Sequence, residues 1–165
     1  MSSRPTRRAS AAFKDVPRLH LDLVLACDGC EVPSRAAFVR WCKAALAEER
    51  GSLRLGLRVV AEPEAAELNR RFRGRTGPTN VLSFPYGDPP AGKTRFLGDI
   101  VVCAPLARAE AALAGRPETA HWAHLVIHGI LHLQGFDHET DQDARVMEAR
   151  ETRILEGLGF ADPYC

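Results

Sequence analysis

His121-Trp122-Ala123-His124-Leu125-Val126-Ile127-His128-Gly129-Ile130-Leu131-His132-Leu133 is apolar almost all the way round once wound into a helix. Trp122, Leu125, Val126, Ile127, Ile130, Leu131 and Leu133 leave no broad polar face, and a helix of that kind is central and buried. The stretch therefore predicts the helix around which the rest of the chain packs. Its polar side chains are all histidines.

Working outward toward the N-terminus, Pro105 to Ala114 suits a helix that Gly115 ends. Leu97 to Cys103 and Thr79 to Phe84 read as strands. Between them, Gly87 to Lys93 is rich in Pro and Gly and predicts a mobile loop. Gly74, Gly77 and Pro78 mark another loop, and Pro63 to Phe72 suits a short helix with proline tolerated in its first turn. Leu53, Leu55, Leu57 and Val59 alternate with mostly polar neighbours, as do Leu19, Leu21, Leu23 and Leu25; both runs have the period of two of a strand. Asp28 to Pro33 reads as a turn. Ser34 caps a helix predicted to reach about Arg50, with Ala37, Phe38, Trp41, Ala45 and Leu46 on its apolar side, before Gly51 stops it. Toward the C-terminus, Thr140 with Asp143 resembles a capping box for a last helix that turns Met147, Ile154, Leu155 and Leu158 inward. The order is β-α-β-α-β-β-α-α-α, without internal repeat or linker. That predicts an α+β fold: a single domain over residues 19–165, with a small mixed four-stranded sheet packed with about five helices. Residues 1–18 are expected to form a flexible basic tail.

The bulk composition agrees. Of 165 residues, 45% are apolar and 26% charged, which is the balance of a globular domain. No run approaches the roughly 20 apolar residues of a membrane helix. The N-terminus lacks the apolar core of an export signal, so a cytoplasmic location is expected. Five cysteines form no disulfide framework, and reduced thiols are the default. Cys27-Asp28-Gly29-Cys30 is a lone C-x-x-C, without the second pair a zinc ribbon needs. Net charge is only +1, but it is unevenly spread. Arg70, Arg71, Arg73 and Arg75 crowd one segment, whereas Asp137 to Glu156 holds seven acids and three bases.

The histidines carry the chemistry. His128 and His132 are four apart and share one helix face with Cβ atoms about 6 Å apart, so their rings can converge on one ion. Gly135 follows three residues later, and glycine accepts the left-handed conformation that ends a helix and reverses the chain. The reversal can swing His138 back toward the first two. Three imidazoles and a water make an open catalytic zinc site on the central helix and its following loop. Nickel, copper and iron accept the same ligands. His124 extends the stripe, but each turn rises about 5.4 Å, so one ion cannot be reached from three successive turns. His124 is expected to support a ligand, touch substrate or sit buried in a hydrogen bond. Asp137 either orients a histidine or faces solvent.

The spacing has the outline of a zinc protease, with one difference. Such proteases place glutamate after the first histidine as general base. Here that position is Gly129, which cannot accept a proton.

The run His121 to His138 resembles the signature of the YbeY endoribonuclease family. Leu68-Asn69-Arg70-Arg71-Phe72-Arg73-Gly74, then Pro78-Thr79-Asn80-Val81-Leu82-Ser83-Phe84-Pro85, Leu97-Gly98-Asp99-Ile100, Met147-Glu148-Ala149 and Asp162-Pro163-Tyr164 extend the likeness from about residue 20 to the C-terminus. The resemblance implies a metal-dependent endoribonuclease of the cytoplasm that prefers single strands. It implies action on the 16S 3′ end of rRNA and in ribosome quality control, with the small ribosomal subunit or its assembly factors as partners. The family's metal ligands fall on His128, His132 and His138, and its functional arginine on Arg73. A guanidinium matches phosphate with a planar fork of donors, so Arg73 and His128 are the catalytic candidates. Arg70, Arg71 and Arg75 are candidates for guiding the RNA backbone, and Asn80 and Ser83 for reaching substrate. Two other readings stay open at this point: a metalloprotease-like or other metallohydrolase, and a ribosome assembly factor whose metal is structural.

Overall fold

The computed structural model describes residues 16–87 and 93–165. Most of the expected basic tail and of the expected mobile loop lies outside the described residues. The elements follow the predicted order: β1 (Arg18–Ala26), α1 (Arg35–Ala45), β2 (Ser52–Val60), α2 (Glu62–Arg73), β3 (Val81–Pro85), β4 (Arg95–Cys103), α3 (Ala104–Leu113), α4 (Glu118–Leu133) and α5 (Asp141–Gly157). Arg18, assigned to the tail by sequence, already opens β1, its amide donating to the Gly51 carbonyl at 2.9 Å.

The sheet order is β1-β2-β4-β3. β1, β2 and β4 run parallel, and β3 pairs antiparallel with β4 at the edge. The parallel strands are joined by helical crossovers, as parallel pairing requires. One sheet face meets α4 and α1. There Leu55, Ile100 and Val102 pack with Phe38, Trp41, Trp122, Val126, Ile127, Ile130 and Leu131, all essentially inaccessible to water. Each such large apolar side chain contributes about 1.5–3 kcal/mol on burial. Phe38 stands edge-on to both tryptophans, with ring centroids 5.6 Å from Trp41 and 5.8 Å from Trp122. The other face carries a smaller cluster of Val60, Ala65, Leu82, Val101 and Cys103, closed by α2.

Element ends shift where side chains decide them. α1 stops at Ala45, short of the expected Arg50, because Leu46 is fully buried as its C-cap and tight turns follow. β3 starts at Val81 and not Thr79, since the Asn80 side chain takes the Val81 amide in a 2.7 Å hydrogen bond. α4 begins at Glu118, three residues before the apolar run, just after Pro117. The predicted caps Ser34 and Thr140 accept from Ala37 and Asp143 amides. Cys27 and Cys30, expected as reduced thiols, are joined in a disulfide across the turn after β1, with Cα atoms 5.5 Å apart.

Candidate metal centre

α4 ends where the sequence predicts. Leu131 and His132 carbonyls accept from the Phe136 and Gly135 amides, both at 3.0 Å. Gly135 has φ 95°, which glycine alone adopts cheaply, and the chain turns back there. Asp137 then accepts from the His138 amide at 2.8 Å, fixing the turn that presents the third imidazole. The Asp137 side chain is 49% exposed, and its contact is with the His138 backbone amide.

His128, His132 and His138 converge. One ring nitrogen from each lies within 4.8 Å of the others. The Nε2 atoms of His128 and His132 face each other at 3.1 Å. Two nitrogens bound to one tetrahedral zinc ion at about 2.05 Å stand about 3.3 Å apart, so the spacing fits an ion held between them. Burial and the neighbouring His128 and His138 hold His132 below the usual histidine range, which favours the neutral, ligating form. His138 is 58% exposed on its side chain, so the trio opens toward solvent.

Behind His128 lies a residue the sequence reading missed. The His128 Nδ1 sits 2.5 Å from Oε1 of Glu151, whose side chain is 1% exposed. The second carboxylate oxygen meets His124 Nε2 at 2.9 Å and accepts from the Tyr164 hydroxyl. Burial pushes the Glu151 carboxyl up, but hydrogen bonds from His124, His128 and Tyr164 outweigh it and bring it down to about 2. His124 is thus a partly buried, hydrogen-bonded histidine one turn behind the trio. Glu151 had one sequence signal: with Met147 and Leu155 it forms an i, i+4 stripe that is otherwise apolar and inward-facing.

Ser83 lies beside this helix, its hydroxyl donating to the Gly129 carbonyl at 3.1 Å. Gly129 faces the sheet and not the histidines. A β-carbon there would stand 3.0 Å from Ile100 Cγ2 and 3.2 Å from Ser83 Oγ. A glutamate at this position would run into the core, so the protease geometry is sterically closed. Asn80 is committed internally: its amide donates to both Glu110 oxygens, and Glu110 in turn meets His121 Nε2 at 2.7 Å.

The arginines come from a different element of the fold. Arg70, Arg71 and Arg73 form the last turn of α2, and Arg75 is on the loop beyond it. α2 covers the sheet face opposite α4. Arg70 is bound to Glu67 by hydrogen bonds of 3.1 and 2.6 Å. Arg71 lies over the Phe72 ring. The exposed side chains of Arg73 and Arg75 have no ion pair or hydrogen bond among the described residues. No helix among the described residues is long and apolar enough to cross a membrane.

Comparison with known proteins converges on one family. Residues 31–159 match the family model described as endoribonuclease YbeY. The chain belongs to the YbeY endoribonuclease family. A YbeY endoribonuclease of Alkalilimnicola ehrlichii is 49% identical over 160 residues, covering 94% of this chain and 96% of its own. The YbeY endoribonuclease of Methylococcus capsulatus is 51% identical over 133 residues, covering 81% and 87% of the two chains. In three dimensions the chain is similar to the solution structure of TM1509 from Thermotoga maritima, with a TM-score of 0.57 at 28% identity over 83% of this chain and 87% of that one. The YbeY-like fold and the converging histidines therefore meet in one molecule.

Proposed function

We propose that this chain is a metal-dependent endoribonuclease that prefers single-stranded RNA and cuts at the 3′ end of small-subunit rRNA during maturation and quality control. The observation that carries the metal reading is the pair of Nε2 atoms facing at 3.1 Å, with His138 beside them. Proposed ligands are His128, His132 and His138, and zinc is the ion that three imidazoles suit best. When bound, the ion supplies Lewis acidity, polarising a phosphate oxygen and acidifying water. His128 and His132 present lone pairs to one point; exposed His138 leaves that point open to substrate. A structural ion would sit in a closed four-ligand site, whereas this trio is open.

Arg73 supplies the second half of the reading. An arginine without a partner among the described residues can clamp a phosphate bidentately and stabilise the charge that grows on its oxygens. Arg71 and Arg75 guide the flanking backbone, and Ser83 borders the site. The family names support RNA as substrate. The small subunit or its assembly factors as partners, and the cytoplasm as location, belong to the same proposal. Gly129, packed on Ile100, argues against peptide hydrolysis.

The test is cleavage of a single-stranded rRNA fragment by purified wild type, His128→Ala, Arg73→Ala and chelator-treated protein. Cutting by wild type alone supports the reading. Equal cutting by all four would identify a contaminating nuclease and end it.

A further inference from the structure

Glu151 is the feature the cleavage reading leaves unused. Its carboxylate is buried, and no lysine or arginine among the described residues bonds it. Its partners are His128 Nδ1, His124 Nε2 and the Tyr164 hydroxyl. An ionised carboxylate only accepts, so the proton of His128 sits on Nδ1 and the lone pair on Nε2. That lone pair is the one aimed at His132 Nε2. The carboxylate is held in place in turn. Tyr164 is set by a 2.9 Å hydrogen bond from its amide to Asp162 Oδ1, and the same oxygen accepts from Thr152 at 3.1 Å, next to Glu151 on α5. The 162–164 segment thus closes a loop from α5 back onto Glu151. A negative charge buried without a fixed cation is costly, and an ion on the far side of the imidazole offsets it.

We propose that Glu151 is the positioning residue of the metal centre, fixing the tautomer and ring orientation of His128, and that Tyr164 is the clasp that holds Glu151. This rests on the metal reading above. It assigns both residues to support and not to coordination, although His124, His128 and Glu151 also group closely enough to hold a cation themselves.

The experiment uses the full chain, without a histidine tag. Zinc content is measured by elemental analysis and zinc affinity by competition with a chromogenic chelator, for wild type, Glu151→Gln, Tyr164→Phe and the exposed control Glu156→Gln. Long-range proton–nitrogen NMR of the imidazoles reads the His128 tautomer. The expected result is one zinc per wild-type chain, affinity lowered about 10–100-fold in Glu151→Gln, and the Nδ1–H tautomer of His128 lost in that variant. Tyr164→Phe, half-exposed and mild, falls about fivefold, and Glu156→Gln is unchanged. Wild-type affinity in Glu151→Gln with one zinc bound would overturn this proposal alone. Two zinc ions in wild type and one in Glu151→Gln would overturn it by making Glu151 a ligand. A wild type that takes up no zinc would remove the metal reading and this proposal together.

Discussion

Gly129 is pressed against Ile100: a β-carbon on the glycine would stand 3.0 Å from Ile100 Cγ2 and 3.2 Å from Cδ1. Ile100 is fully buried and has no room to retreat. Gly129→Ala gains about 1 kcal/mol of helix propensity but loses about 1–3 kcal/mol to overpacking, for a net loss of about 1 kcal/mol. Gly129→Glu adds a buried charge, loses several kcal/mol and gains no peptidase activity. Urea unfolding and a casein digest check both outcomes.

Arg73 is exposed and without described partners, so its replacement is expected to leave the fold intact. Arg73→Ala lowers kcat for RNA cleavage about 10²-fold, as removal of a transition-state donor does, with an unchanged unfolding midpoint. Arg73→Lys recovers only part, because an ammonium lacks the planar fork. Steady-state kinetics beside thermal melts of the same samples decide it.

The four arginines are unequal. Arg70 is spoken for by Glu67, whereas Arg71 and Arg75 are not held by a carboxylate among the described residues. Arg75→Ala, and likewise Arg71→Ala, lowers the salt slope of single-stranded RNA binding by about 0.7, while Arg70→Ala leaves it within error. Filter binding from low to high salt gives the slopes. Equal slopes for all three variants would place the RNA elsewhere.

Acid acts in two windows on metal-free protein. His132 is held below its ordinary 6.5, so unfolding takes up a proton and stability is lost as pH falls below about 6.5. Glu151, at about 2 against an ordinary 4.5, contributes stability that is whole above 4.5 and disappears as pH falls toward 2. Urea midpoints across pH 7 to 3 are expected to fall in both ranges, with the first fall absent in His132→Ala.

Thiol chemistry separates the cysteines. Burial pushes Cys42 up to about 12 and raises Cys103 as well. Iodoacetamide at pH 8 is expected to modify exposed Cys165 in the folded protein and to reach Cys42 and Cys103 only after unfolding. Intact mass before and after urea reads the count.

Apolar periodicity together with glycine and proline breaks was enough for the order of the nine elements among the described residues. The ends at Ala45 and Val81 were not legible, since burial of Leu46 and the side chain of Asn80 set them. The histidine trio was legible for a local reason: helix spacing and one glycine place all three within eleven residues. Glu151 and Tyr164 were not, because they arrive from 23 and 40 residues away from His128 and His124, respectively. Only the folding of α5 and the 162–164 segment onto α4 brings them there. An acid in the stripe Met147, Glu151, Leu155 was the trace they left. Nor did the sequence show that the arginines and the trio belong to helices on opposite sheet faces, since topology sets that.

The edge-on cluster of Phe38, Trp41 and Trp122 gives the molecule its own optical reporter. These are the chain's two tryptophans, both buried where α1 meets α4. Intrinsic fluorescence therefore senses water entering that seam, and Trp122 shares a helix with His128 and His132. A variant that keeps its blue emission while losing its ion has lost the site and kept the core.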